Sequence, residues 1–276
     1  MTTKNYKPHI FALSVLFTIG NTIILLPDLN LLSVILLPGV SMILLMISIA
    51  TKNIMCKKRS LNLVVNAMVG VVAVYGVVTS FLDYLQFLKK QQSPQTATWL
   101  IAAILAVTII YFVLCKNSAI YKFSLFAFFV VAAIISLVFI SGIKNFDLDN
   151  ARRICNLNIS NTNAYLRLFA PIFALPFFFR EENCKKTICI GGMSGVLVLL
   201  GVMYQTLLTF GAQISTPLVY INAVSVISVG SLFTRLDGLV WFVFFATSIT
   251  RCMICAKIAV NSVKLSFVDI YKQKPL

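Results

Sequence analysis

Long uninterrupted apolar runs constrain this chain more than any other feature. They are about 20 residues long, the length of a helix that crosses a hydrocarbon core of roughly 30 Å. Of the 276 residues, 59% are hydrophobic and only 11% are charged, against about 25% charged in soluble domains. The run at 64–78 does not alternate as a barrel strand would. Because backbone in lipid must satisfy its own hydrogen bonds, the sequence predicts an all-α transmembrane bundle, a single integral membrane domain over 1–276.

The apolar runs predict about nine spans. We place them at 10–27, 31–50, 61–88, 97–115, 119–143, 164–179, 187–211, 215–232 and 236–258. The residues that follow, 259–276, are predicted to form a polar C-terminal tail.

Basic residues set the expected orientation. Most Lys and Arg of the connections fall on the side of the N-terminus, so the positive-inside rule predicts a cytoplasmic N-terminus. The C-terminal region conflicts with this, because nine spans would put it outside. That region carries Arg251, Lys257, Lys264, Lys272 and Lys274. Either one span is miscounted or a closing helix is missing.

Composition argues against several classes of function. The net charge of +15 is scattered among the connections, apart from Lys57-Lys58-Arg59, which suits anionic lipid headgroups, so we expect no nucleic-acid partner. One His and eight acidic residues leave little for metal or acid–base chemistry. Cys252 and Cys255 form a C-x-x-C inside an apolar helix without a second pair, which favours packing over zinc. We expect no enzyme activity, no catalytic residue, no metal and no cofactor.

The first span contains a candidate helix break. Gly20 lowers helix propensity, and Asn21 and Thr22 can hydrogen-bond to their own backbone. Backbone groups released at mid-membrane depth line the binding sites of transporters with broken helices. The alternative is a close helix contact at a small residue.

The sixth span contains a second candidate break. Pro171 and Pro176 each remove a backbone N–H, so carbonyls in this span lose their helical partners. The break comes five spans after the first, as in transporters built from five-plus-five inverted repeats. A simple proline kink is the alternative.

Two acidic positions have structural and functional interpretations. Thr234 followed by Asp237 has the spacing of a capping box, which we prefer to ligand contact or coupling. Asp83 lies near the predicted outer end of span three, before Lys89 and Lys90. We expect Asp83 to pair at the membrane surface rather than to sense a cation.

Three segments, taken in order along the chain, point to one family. They are Ile-Gly-Asn-Thr-Ile at 19–23 with Pro27, Ser-Pro-Gln-Thr-Ala-Thr-Trp-Leu-Ile at 93–101, and Phe-Thr-Arg-Leu-Asp-Gly-Leu at 233–239 with Trp241. Together they resemble segments of the spore-germination permeases, the B subunits of nutrient germinant receptors. The second segment departs from the family pattern at Ala97, which replaces a proline. The match covers most of the chain in the same order.

The resemblance implies a permease-like fold of ten helices, with helices one and six broken around a small-ligand site. Here the tenth helix is absent or reduced to the tail. It also implies A-type and C-type partner subunits in the inner membrane of a bacterial spore, where a germinant such as an amino acid triggers germination. A secondary amino-acid transporter and a degenerate scaffolding subunit are the alternatives.

The expected ligand site lies between the two breaks. Its residues are Gly20, Asn21, Thr22, Ala170, Pro171 and Ala174, with Pro176, Thr234 and Asp237 in structural or coupling roles. A zwitterionic ligand would place its carboxylate at the positive end of a half-helix and its ammonium against freed carbonyls.

Overall fold

The structure, a computed structural model, describes residues 6–20, 31–55, 59–91, 98–147, 149–150, 170–179, 184–210 and 237–272. Predicted span eight lies outside these residues, as does the first part of span six. Asn21, Thr22 and Thr234 also lie outside them.

Within this part of the chain there are eight α-helices. They are α1 (Lys7–Ile19), α2 (Leu31–Met55), α3 (Arg59–Gln91), α4 (Thr98–Leu114), α5 (Asn117–Gly142), α6 (Leu175–Phe178), α7 (Lys185–Phe210) and α8 (Asp237–Lys272). A 3₁₀ turn, Ile143–Asn145, follows α5, and a second, Ala170–Ala174, leads directly into α6. The polar tail predicted over 259–276 is helical through Lys272.

The all-α class is confirmed for the described residues. Four stretches are long and apolar enough to cross a membrane, namely Val64–Gln86, Asn117–Asn145, Lys185–Thr206 and Gly238–Lys264. Shorter apolar helices cover Lys7–Ile19, Gly39–Lys52 and Ala102–Leu114. These helices indicate an integral membrane protein, whereas the count of about nine spans stays a prediction.

Small residues bring α1 and α7 close together. A Cβ built on Gly191 would lie 2.7 Å from the Cβ of Ser14, and one built on Gly195 would lie 2.8 Å from the Cβ of Thr18. The Ser14 and Thr18 hydroxyls donate to carbonyls one turn back in α1, so they bring no unsatisfied group to the contact. Because residue numbers rise together in both helices, α1 and α7 run parallel, in a small-xxx-small contact.

The helices α3 and α8 pack against each other and run in opposite directions. A Cβ on Gly70 would lie 3.3 Å from the Cβ of Ser262, and one on Gly76 would lie 2.9 Å from Cys255 Sγ. Further along α3, the Tyr84 ring stacks on Phe244 with a centroid distance of 5.5 Å. The numbers rise in α3 while they fall in α8, so these two helices are antiparallel.

The end of α8 lies at the same end of the bundle as the N-terminus. A cavity of about 300 Å³ is lined by residues from the starts of α1, α5 and α7, including Tyr6, Asn117 and Cys184, which defines the N-terminal end of the bundle. Lys257 Nζ donates to the carbonyl of Cys115 over 2.6 Å, just before α5 begins. Since α8 rises about 1.5 Å per residue, its first turn lies at the far end of the bundle.

The direction of α8 places two of its lysines at the N-terminal end of the bundle. Asp147 N–H donates to the Leu208 carbonyl over 3.0 Å, so α7 ends beside the end of α5, at the far end. The first turn of α8 lies at that far end too. Lys257 and Lys264 therefore join the N-terminal, basic end of the bundle, as the positive-inside rule expects.

Cysteine labelling in oriented vesicles checks this topology. In a background without native cysteines, we expect Lys186→Cys and Lys264→Cys to react with an impermeant maleimide from the same side, the cytoplasmic one. Trp99→Cys, at the start of α4, should react from the other side. All three side chains are exposed in the structure. Labelling of Lys264→Cys together with Trp99→Cys would contradict the direction of α8.

The contact between α1 and α7 predicts a contrast between two glycines of α7. In Gly191→Ala the new methyl would meet Ser14 Cβ and also the Phe11 carbonyl oxygen, 2.9 Å away, which is backbone and cannot turn aside. We expect a loss of about 1–3 kcal/mol, as for other overpacked cores. Gly201→Ala meets nothing within 4 Å and is the control. Thermal unfolding in detergent should show a lower midpoint for Gly191→Ala alone; equal midpoints would contradict the tight contact.

Candidate functional site

The first predicted break falls where α1 ends. Gly20 has φ +38° and ψ −133°, a conformation that L side chains rarely adopt. Its N–H still donates to the Leu16 carbonyl over 2.9 Å. Its own carbonyl accepts a hydrogen bond of 3.0 Å from Thr247 Oγ1 of α8. The end of α1 is therefore fixed to a distant helix through backbone that has left the helical path.

Arg251 of α8 packs directly on Gly20. A Cβ built on Gly20 would lie 2.7 Å from Arg251 Cδ and 2.8 Å from Nη1, so the glycine provides the room that the guanidinium occupies. Arg251 is 1% exposed, and its Cζ lies 5.9 Å from the centroid of the Phe17 ring. It occupies the midpoint of the candidate span Gly238–Lys264. A charge at such a depth is costly and usually functional.

Asp83 of α3 supplies a negative charge near Arg251. The two side chains attract each other electrostatically, and Asp83 is only 4% exposed. The expectation that Asp83 pairs at the membrane surface was therefore wrong. The antiparallel packing of α3 and α8 turns this carboxylate inward, and in the same region the side chain of Ser80 is hydrogen-bonded with that of Cys252.

The second predicted break is a 3₁₀ turn followed by one turn of α-helix. Pro176 has no N–H to offer the Phe173 carbonyl three residues earlier, as a continued 3₁₀ helix would require. Ser48 Oγ of α2 donates to that carbonyl instead, over 2.5 Å. Lys52, also of α2, donates from Nζ to the Pro176 carbonyl over 2.9 Å and to the Phe179 carbonyl. Polar side chains of α2 thus bind the carbonyls that the irregular backbone leaves.

Both breaks lie against one face of α8. Gly76 of α3 fits between Pro171 and Cys255, since its Cβ would lie 3.1 Å from Pro171 Cβ and 2.9 Å from Cys255 Sγ. Cys255 follows Arg251 by four residues, so the two share a helix face one turn apart. The structure therefore places Gly20 and Pro171 about one turn of α8 from each other.

The other predicted residues have simpler places. Ala174 and Pro176 are buried, and Ala170 is half-buried. Asp237 is the first described residue of α8, but its side chain and Thr234 lie outside the described part, so the capping box stays a prediction. Among the described residues, no group of three or more His, Cys, Asp and Glu could hold a metal ion.

Sequence reasoning missed Arg251 and Thr247. Its place in the chain groups Arg251 with the basic C-terminal region, although it stands in the middle of the apolar stretch 238–264. A lone arginine with more than ten mostly apolar residues on each side was the signal that could have identified it. Nothing in the sequence marks Thr247, whose importance comes from its contact with Gly20.

These side chains form a chemically defined centre, which we call the Arg251 site: Gly20, Asp83, Thr247, Ser248 and Arg251. Its guanidinium carries a planar fork of donors that suits a carboxylate. Its other members supply a carboxylate and two hydroxyls. Such a set can bind a small polar molecule, and it offers no nucleophile–base pair among the described residues.

Comparison with protein-family models, with curated proteins and with solved structures finds no match for this chain. The resemblance to germination permeases therefore rests on the three sequence segments alone.

The hydrogen bond to Gly20 predicts a contrast between two buried threonines of α8. Thr247→Val keeps the shape but leaves the Gly20 carbonyl without this donor, and an unsatisfied buried group costs about 1–3 kcal/mol. Thr250 bonds only within its own helix, to the Ala246 carbonyl, so Thr250→Val is the matched control. We expect a lower unfolding midpoint for Thr247→Val than for Thr250→Val. Equal midpoints would show that this bond does not hold the end of α1.

Proposed function

We propose that this protein is the permease-like membrane subunit of a spore nutrient germinant receptor, and that it binds a small amino-acid-like germinant. The observation that carries the ligand-binding part is the end of α1 at Gly20, held at mid-membrane depth against Arg251. Many membrane transporters bind polar ligands at irregular backbone, and charged residues inside the membrane commonly mark such sites.

The directions of the helices support a permease-like architecture. The helices α2 and α7, which correspond to predicted spans two and seven, are antiparallel and in contact, and a Cβ on Gly192 would lie 2.8 Å from Leu45 Cδ2. The α1 helix and the 170–178 segment also run in opposite directions. This is the relation that a five-plus-five inverted repeat requires.

The resemblance supplies the biological setting of the proposal. It implies the inner membrane of a bacterial spore, with A-type and C-type subunits as partners, and the positive-inside rule adds a cytoplasmic N-terminus. The outward faces of α3 and α4 agree with a lipid environment, because apolar side chains such as Met68, Val71, Val107 and Leu114 are exposed there. We propose lipid contact for these faces and no nucleic-acid partner.

Two alternatives make different demands on the same site. A secondary amino-acid transporter would move its substrate across a bilayer without partner subunits. A degenerate scaffolding subunit would bind no small ligand, although it would still assemble with its partners. The burial of Arg251 and Asp83 favours a ligand-binding protein over a scaffold, because a buried charge pair gives little net stability compared with apolar packing.

Reconstitution separates the three functions. The purified protein in nanodiscs is screened against the twenty common L-amino acids by thermal shift and equilibrium dialysis, and uptake of each labelled amino acid is followed in proteoliposomes. We expect at least one amino acid to bind and none to be transported by this chain alone. Uptake above that of empty liposomes would favour the transporter, and neither binding nor uptake would favour the scaffold.

A further inference from the structure

We infer that Arg251 and Asp83 are the two charged recognition residues of the ligand site, Arg251 for the carboxylate of a zwitterion and Asp83 for its ammonium group. This inference rests on the proposed function, because it takes the Arg251 site as the ligand site. In this inference, charged side chains rather than backbone groups are the main source of ligand specificity.

The backbone carbonyls around the breaks already have protein partners. The Gly20 carbonyl accepts from Thr247, and the Phe173 carbonyl accepts from Ser48. The Pro176 and Phe179 carbonyls both accept from Lys52. The ligand's ammonium group was expected to bind to freed carbonyls, but these four carbonyls already accept hydrogen bonds from the protein. Apart from Lys52, which binds the Pro176 and Phe179 carbonyls, the charged groups near the breaks in the described part of the chain are Arg251 and Asp83.

Charge balance then selects the class of ligand. A buried charge is stable only when an opposite charge compensates it, and Arg251 and Asp83 attract each other in the structure. A ligand with only a carboxylate would pair with Arg251 and leave the charge of Asp83 uncompensated. A ligand with only an amine would pair with Asp83 and leave the charge of Arg251 uncompensated. A zwitterion satisfies both, because it exchanges one internal pair for two pairs with the protein.

The surroundings of Arg251 offer a further donor. Ser248 is 1% exposed, and its Oγ has no hydrogen-bond partner among the described residues. It lies three residues before Arg251, so both side chains emerge on the same side of α8. A ligand carboxylate held by the guanidinium fork would give this buried hydroxyl an acceptor.

The position of the pair also links the ligand to the fold. Arg251 touches Gly20 at the end of α1, and Asp83 belongs to α3, which packs along α8. Separation of Arg251 from Asp83 by a ligand would change the contact of α8 with both neighbours at once. Ligand binding at this pair would therefore affect the backbone at the end of α1, which the proposed receptor would move.

Ligand analogues test the inference on the unmodified protein. The tightest-binding L-amino acid of the nanodisc screen is compared with its amide, which lacks the carboxylate, and with its des-amino acid, which lacks the ammonium. We expect both analogues to bind at least about tenfold more weakly, since leaving one buried charge unpaired costs more than 1.4 kcal/mol. An analogue that binds as tightly as the parent amino acid would overturn the role of the corresponding residue.

Variants then assign the two charges to residues. Asp83→Asn should weaken binding of the parent amino acid and should shift the preference between the two analogues toward the des-amino acid. Arg251→Gln should shift that preference toward the amide. The double variant Asp83→Asn/Arg251→Gln restores neutrality and should fold, yet it should lose amino-acid binding by at least about tenfold. Thr250→Val, with Thr250 buried on the same helix and outside the site, should bind normally.

The outcomes separate this inference from the proposed function. Binding of an amino acid by the parent protein that persists in a folded double variant would overturn the pair and leave the function standing. Absence of binding to every amino acid in the parent protein would overturn both. If the double variant does not fold, the analogue comparison on the parent protein alone decides, since it needs no substitution.

Discussion

The contact between the end of α1 and the middle of α8 is the interaction on which the rest of the structure depends. Gly20 leaves the helical path with a positive φ, and its carbonyl is bound by Thr247 while Arg251 fills the space that a side chain would take. Because no side chain larger than hydrogen fits there, backbone irregularity and buried charge occur at one place. The same helix then reaches the second break through Cys255, so a single element connects both irregular segments.

Polar side chains inside this bundle donate hydrogen bonds to backbone carbonyls that have no helical partner. Ser48 and Lys52 of α2 bind carbonyls of the 170–179 segment, and Lys52 is itself half-buried. Lys257 does the same for the end of α4 through the Cys115 carbonyl. In lipid an unpaired carbonyl costs several kcal/mol, so these donors make the irregular segments tolerable. They also leave ligand recognition to charged side chains rather than to released carbonyls.

Helix direction explains a charge pattern that the linear chain leaves contradictory. Counting alternating spans puts Lys257 and Lys264 on the side opposite to the N-terminus. Antiparallel packing of α8 on α3 returns them to the N-terminal end, where most other basic residues lie. Close approach at Gly70 and Gly76 makes this packing possible, since both glycines face side chains of α8 at 3.3 Å or less from their would-be Cβ atoms.

The sequence by itself determined the helical class, the approximate position of each described helix and the two places where regular helix stops. It could do so because apolar length, glycine and proline act locally on the backbone. Tertiary structure alone decided the direction of α8, the burial of Asp83 and the roles of Arg251 and Thr247. Those properties depend on which residues distant in the chain meet, and an arginine in the middle of an apolar stretch does not reveal its neighbours. The helix breaks of the site are therefore determined by local sequence, whereas its charged residues come together only through the tertiary packing of α3 and α8.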